Sequence, residues 1–326
     1  MKAFLLFLLL FYLGLSGKCQ DRDREVLRNQ LTFWSDNNFF LLNGDDGYYT
    51  SGLFFKYDRL SNKPTTALKK IFSYEVGQMI YNAHSRKILP VSQSNFPGGI
   101  EQIDRPIAGY LYGKMARSIF YRNNSMIKFG AFAGSTGKYS YAKEVQEFWH
   151  RVIGVKDYWN WVWDYQVKNE WSVNVQGIFA KALINKQSDF FQITPVTQAT
   201  LGTAFTNVSQ AVLFQFGRLR PINSSSYWNS RLQLTASGHH PIELFLFYQP
   251  TITYQVYNAT IQGGVFRTDK GPVLSEVKPF VVSHEVGIRF SGPRYCFGYH
   301  LTFQTKECTT QFHSQSFASI LGAFRF

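Results

Sequence analysis

The feature that most constrains this chain is a period of two. Tyr295, Phe297, Tyr299, Leu301 and Phe303 are apolar, and Arg294, Gly298, His300, Thr302, Gln304 and Lys306 fall between them. Val282, Val286, Ile288 and Phe290 share one face, with His284 intruding, while Ser283, Glu285, Gly287 and Arg289 share the other. At the C-terminus Ala318, Ile320, Gly322, Phe324 and Phe326 alternate with Phe317, Ser319, Leu321, Ala323 and Arg325. Successive side chains of a strand point to opposite faces, so such runs are strands with one apolar and one polar side. A soluble antiparallel sheet shows the same alternation with the apolar face inward.

Two features favour the membrane version. The strands are close to the 9–11 residues that cross a bilayer at a tilt, and their apolar faces are rich in Tyr and Phe, as aromatic girdles require. The ending Phe324-Arg325-Phe326 also resembles the last strand of bacterial outer-membrane barrels. In lipid only a closed barrel satisfies the backbone groups of every strand. The expected fold is therefore all-β, a twelve-stranded antiparallel transmembrane β-barrel with a helix in an extracellular loop near 141–154. The strands are expected near 29–36, 48–59, 70–81, 107–121, 125–135, 163–181, 187–202, 205–217, 239–257, 278–291, 294–306 and 315–326. An even number returns both termini to the periplasmic side. Of the connections, 82–106 and 136–162 are long, and 122–124 and 292–293 are short.

Beyond residue 19 no run approaches 18 apolar residues, so no membrane helix is expected there. Before it, Lys2 and the apolar run Ala3 to Leu15 read as a signal peptide over residues 1–19, with Gly17 and Cys19 at the −3 and −1 positions of a cut before Gln20. Residues 20–326 would then form the outer-membrane barrel, and a retained anchor is the competing reading. Composition agrees: charged residues make up only 17% of 326, which argues against disorder and coiled coil. The net charge of +13 points to acidic partners such as anionic lipid or polysaccharide, and export leaves nucleic acid as the weakest candidate. Cys296 and Cys308 could pair or stay free.

The segment Tyr141 to Gly154 breaks the strand pattern. Val145, Phe148, Trp149, Val152 and Ile153 recur at helical spacing, with Glu144, Glu147 and Arg151 elsewhere around the wheel and Gly154 as a stop. Gln146 and His150 are four apart and share a face. Periodicity alone reads this as an amphipathic rim helix whose His150 is an ordinary polar residue. No G-x-S-x-G elbow is present, since Gly134-Ser135-Thr136-Gly137 has the wrong spacing; H-E-x-x-H and phosphate-binding glycine loops are missing as well. Asp45, Asp46 and Gly47 read as a turn.

Several segments in order resemble the bacterial outer-membrane lipid A 3′-O-deacylase family. They are Asp36-Asn37-Asn38-Phe39, Gly47-Tyr48-Tyr49-Thr50-Ser51-Gly52-Leu53, Asp104-Arg105-Pro106-Ile107-Ala108-Gly109, Glu144 through Gly154, the polar residues Gln166, Asn169 and Glu170, and Thr302 through Glu307. The resemblance implies a twelve-stranded barrel that removes a 3′-linked acyloxyacyl group from lipid A with calcium, working between barrel wall and loop helix at the outer leaflet. It implies His150 as general base, Gln146 as an orienting group, Asn37 and Thr50 at active-site positions, and Lys87 as a looser match to a family lysine. For calcium (Ca2+) it implies Asn38, Asp36 and Asp157. Asn38 stands where the family has a carboxylate, and Lys156 where it has an acid, departures that would lower metal affinity, change the metal or mark a binding protein that has lost catalysis.

The residue types suit ester hydrolysis. Histidine activates water near neutral pH, a cation or lysine stabilises an oxyanion, and calcium takes oxygen ligands. Thr50 shares an alternation face with Lys56 and Asp58 and is expected to point into the barrel. A monomer acting on lipopolysaccharide is the leading expectation. The alternative is a non-catalytic barrel, either a pore or a lipid-binding inactive relative, and a secreted β-sandwich is a remote third.

Overall fold

A computed structural model describes residues 26–41, 47–61, 67–84, 103–154, 160–183, 190–233 and 242–326. Residues 1–19, expected to be a signal peptide, and Lys87 and Asp157 lie outside them. The described strands are β1 (Asn29–Asn37), β2 (Tyr48–Leu60), β3 (Lys69–Asn82), β4 (Ala108–Phe120), β5 (Ser125–Thr136), β6 (Trp171–Lys181), β7 (Phe191–Gly202), β8 (Phe205–Arg218), β9 (Glu243–Asn258), β10 (Phe280–Ser291), β11 (Tyr295–Gln304) and β12 (Gln315–Arg325). Each pairs antiparallel with its sequence neighbours, and β1 closes on β12 with Gln30 opposite Arg325 and Asn37 opposite Ala318. The twelve-stranded barrel expected from alternation is the fold. No described helix is long and apolar enough to cross a membrane.

Burial is inverted relative to a water-soluble protein. Leu31, Phe55, Tyr74, Val76, Met115, Phe129, Val175, Leu246 and Ile288 are exposed on the outer wall. Gln30, Thr32, Lys56, Asp58, Ser73, Asn174, Gln192 and Arg289 are buried inside. Lipid tails solvate the first set at no cost, while the polar set must be satisfied within the lumen. Much of this demand is met inside the lumen: Lys56 Nζ lies 3.0 Å from Asp58 Oδ1, Tyr112 donates to Glu75 Oε1 at 2.7 Å and Lys114 to Gln176 Oε1 at 2.6 Å.

The end bearing the termini is closed from inside. Between β8 and β9 the chain turns back into the lumen. Ile222, Leu232 and Trp228 pack there against Leu60, Ile71, Phe120 and Met126. Lys69 donates to the carbonyls of Asn223 and Ser230, both at 2.7 Å, and Ile222 N–H donates to Asn124 Oδ1 at 2.7 Å. Arg289 donates to the Ser226 carbonyl, and Arg231 sits 3.4 Å from Glu243. Burial pushes the Tyr227 phenol up, so it stays a neutral donor to Gln249. Nothing in the alternation pattern marks this segment as a plug; its polar and aromatic residues read as an ordinary connection.

One strand boundary is corrected and one open question is answered. The strand placed at 163–181 begins only at Trp171. Asn160–Tyr165 is instead a 3-10 turn, because Val162 and Trp163 bury their side chains with Ile80, Ile107 and Ala142 at the opposite rim. Cys296 and Cys308 do not pair; both are buried free thiols. They sit near opposite ends of the barrel, one opening β11 and the other just after it closes.

Candidate active site

The helix α1 (Ala142–Ile153) lies where the sequence places it and stops at Gly154, whose φ of 77° is a left-handed cap that glycine adopts without strain. Its seat on the wall depends on Gly109 of β4. A Cβ there would lie 2.0 Å from Ser140 Oγ and 2.3 Å from Ala142 Cβ, so any side chain would lift the helix away. Gln78 Nε2 donates to the Ser140 carbonyl at 2.6 Å, tying the helix entry to β3. Gln78 shares its β3 face with the exposed Tyr74 and Val76. The helix therefore leans on the outside of the barrel, at the end opposite the plug.

The orientation of α1 differs from a simple amphipathic rim helix. Ala142 and Gln146 are buried, while Phe148 and Val152 stay 56% and 58% exposed and Trp149 43%. The aromatic side looks away from the protein, as expected of a helix that meets lipid rather than water.

A chain of hydrogen bonds joins the helix to the wall. Trp163 Nε1 donates to Gln146 Oε1 at 3.0 Å. Asn82 Nδ2, at the end of β3, donates to the same Gln146 oxygen at 3.4 Å and to Thr50 Oγ1 at 3.2 Å. Thr50 in turn donates to the Tyr48 carbonyl at 3.4 Å. His150 follows Gln146 by one helical turn, about 6 Å along the axis, on the same face. Asn37 lies opposite Ser51, the neighbour of Thr50, and its side-chain oxygen accepts from Phe39 N–H at 2.7 Å.

Thr50 does not point into the barrel. The register slips between Tyr49 and Ser51, leaving Thr50 as an extra residue without a partner on β3. This bulge breaks the alternation carried up from Lys56 and Asp58, and it turns the hydroxyl toward Asn82 on the outer face. Tyr49 turns inward in its place and lies over Gly52.

Of the residues expected to bind calcium, the two described ones, Asp36 and Asn38, have different surroundings. Asp36 faces the lumen, where Tyr49 donates to it at 2.8 Å and Ser319 at 2.6 Å. Asn38 is buried in a separate polar crevice of about 260 Å³, lined also by Tyr48, His84, His313 and Gln315. Among the described residues no group of three or more His, Cys, Asp and Glu side chains could hold a metal. Among the described residues, the oxygen donors hydrogen-bonded beside α1 are a hydroxyl and neutral amides, a poor match for an ion that takes 6–8 oxygens with carboxylates among them.

The Asp104-Arg105-Pro106 segment serves as a brace. Asp104 accepts from Tyr48 OH and from His84 N–H. Arg105 is fully buried, with Nε 2.7 Å from Glu307 Oε1, Nη2 donating to Thr260 and its guanidinium 4.0 Å above the Tyr81 ring. Gln166, Asn169 and Glu170 brace loops in the same way, donating to the Trp163 carbonyl and accepting from Tyr139 and Phe266 N–H groups respectively.

The sequence matches the family model described as outer membrane protein LpxR over residues 4–326. The chain belongs to the LpxR family of outer membrane proteins. LpxR from Salmonella typhimurium is similar in structure, with a TM-score of 0.71 at 20% identity, over 91% of this chain and 100% of that one. The β domain of the Bordetella autotransporter BrkA is a more distant likeness, with a TM-score of 0.48 at 8% identity, over 93% of this chain and 99% of that one. No curated protein matches the sequence. As a member of the LpxR family, the chain is an outer-membrane β-barrel. Its helix-bearing rim lies opposite the termini and therefore on the extracellular side.

Asn82 and Trp163 escaped the sequence reading. Asn82 ends a strand whose alternation marks it only as outward, and Trp163 sits in what reads as strand. The one signal available was spacing: Asn82 directly follows the apolar Ile80-Tyr81 pair at the tip of β3, where an amide breaks the pattern.

Proposed function

We propose that this LpxR-family barrel is an ester hydrolase that removes an acyloxyacyl group from lipid A at the outer leaflet. The observation that carries the reading is the hydrogen-bonded path from Thr50 through Asn82 to Gln146, which sets the His150 face of α1 against the lipid-facing side of the wall. Polar side chains held between helix and wall, beside the exposed Phe148, Trp149 and Val152, suit a substrate whose chains stay in the membrane while its ester reaches polar groups. The basic net charge suits a phosphorylated headgroup.

In this reading His150 takes a proton from water, and the hydroxide adds to the ester carbonyl carbon. The carbonyl re-forms as the C–O bond breaks, the leaving oxygen receives the proton from the imidazolium, and the fatty acid departs. Gln146 and Thr50 orient the reacting groups, and Asn37 stands beside them. Lys87, the looser match to a family lysine, lies outside the described residues. The described donors do not fit calcium on their own. A calcium ion would draw on carboxylates of the other segments, Asp157 among them.

The plug and the aromatic upper lumen around Tyr110, Phe132, Phe205 and Tyr257 favour a filled barrel over a pore. The neutral donor set favours one competing reading, a lipid-binding relative that has lost catalysis. The test is fatty acid release from lipid A by the purified barrel in detergent micelles. Release that disappears in His150→Ala supports the hydrolase; lipid A binding without release supports the binding protein.

A further inference from the structure

The hydrogen bonds around Asn82 leave one atom over. Trp163 Nε1 can only donate, so the Gln146 atom facing it is the oxygen. That oxygen also faces Asn82, which must therefore present its amide nitrogen. The second amide hydrogen goes to Thr50 Oγ1, whose own hydrogen is given to the Tyr48 carbonyl. Asn82 is fully buried, and its Oδ1 has no hydrogen-bond partner. A buried acceptor left unmade is costly, and this one is held in place by a chain of donors that cannot turn to meet it.

We propose that Asn82 Oδ1 is the acceptor for an N–H or O–H group of the bound lipid, so that Asn82 selects substrates that carry such a donor beside the ester. The inference rests on the reading of this rim as a lipid ester site and adds a selectivity residue to it. An acyl-sugar lipid has amide N–H and hydroxyl groups next to its esters. A phosphatidylcholine has esters and no N–H or O–H at all. A site that presents a buried acceptor rejects a ligand with nothing to offer it, because the acceptor then stays unpaired. The same network explains why the group is an amide: a carboxylate at position 82 could not donate to Gln146 and Thr50.

The test is equilibrium binding of lipid A and of phosphatidylcholine to His150→Ala protein in detergent micelles, with and without Asn82→Ala. The His150→Ala background keeps either lipid from being consumed. Asn82→Ala is expected to weaken lipid A binding by about tenfold or more and phosphatidylcholine binding by less than about twofold. Equal weakening of both lipids, no change for lipid A, or no binding of lipid A to the His150→Ala protein overturns the proposal. Heat-modifiable migration on gels checks that each variant is folded. Asn82→Leu, which fills the space without an acceptor, replaces Asn82→Ala if the latter does not fold. Fatty acid release by the unmodified protein decides the hydrolase reading separately.

Discussion

Trp163 Nε1 and Gln146 Oε1 lie 3.0 Å apart, and this contact decides which end of the Gln146 carboxamide faces the barrel wall. The indole is buried with Ile80 and Ala142, so its N–H has no water to turn to. Trp163→Phe keeps most of the ring's packing and removes the donor. Loss of one buried hydrogen bond of this kind corresponds to about 1–3 kcal/mol, or roughly 5- to 150-fold in kcat/KM. Steady-state hydrolysis of lipid A in micelles measures it, with heat-modifiable migration unchanged.

Gly109→Val should separate the site from the scaffold. The new side chain meets Ser140 Oγ and Ala142 Cβ, so the helix must shift outward while the strand pairing of β4 stays intact. Lipid A hydrolysis is expected to fall by at least about tenfold, since small displacements of catalytic groups are costly. Amide hydrogen exchange should rise in residues 140–154 and stay low in β3 and β4.

Arg105→Ala should cost stability. It strips a fully buried cation from Glu307 and leaves that carboxylate uncompensated beneath the loops. Breaking a buried pair from one side costs about 3–5 kcal/mol. Urea unfolding in detergent, followed by gel migration, should show a lower midpoint. Arg105→Lys should recover only part of the loss, because a point charge cannot also reach Thr260 and the Pro106 carbonyl.

The plug makes an electrical prediction. The intact protein should show no steady conductance in planar bilayers, because the plug closes one end and Tyr110, Phe132, Phe205 and Tyr257 fill the lumen toward the other. A large conductance from the intact protein would return the pore to consideration.

The barrel was legible in the sequence because lipid imposes a strict rule: every outward residue must be apolar, and every strand must reach across. Tyr295 to Phe303 and Phe280 to Phe290 follow that rule without exception except His284, and their boundaries fall within a few residues of the observed strands. The site was less legible because it is built where the rule lapses. The bulge at Thr50 turns a residue whose alternation points inward, and no periodicity announces a one-residue slip. Asp36 and Asn37 are adjacent in sequence yet stand on opposite sides of the wall, so a ligand set read along the chain pairs groups that the strand separates. The helix at 141–154 was visible from its spacing, but which of its faces meets protein depends on Gly109, some thirty residues earlier in the chain.

Mass spectrometry of lipid A from bacteria producing this protein, or its His150→Ala variant, tests the hydrolase most directly. Lipid A lacking one acyloxyacyl group should appear with the unmodified protein and be absent with His150→Ala. Identical lipid A in both, with each protein folded in the outer membrane, would contradict the assignment of His150 and of hydrolysis at this rim.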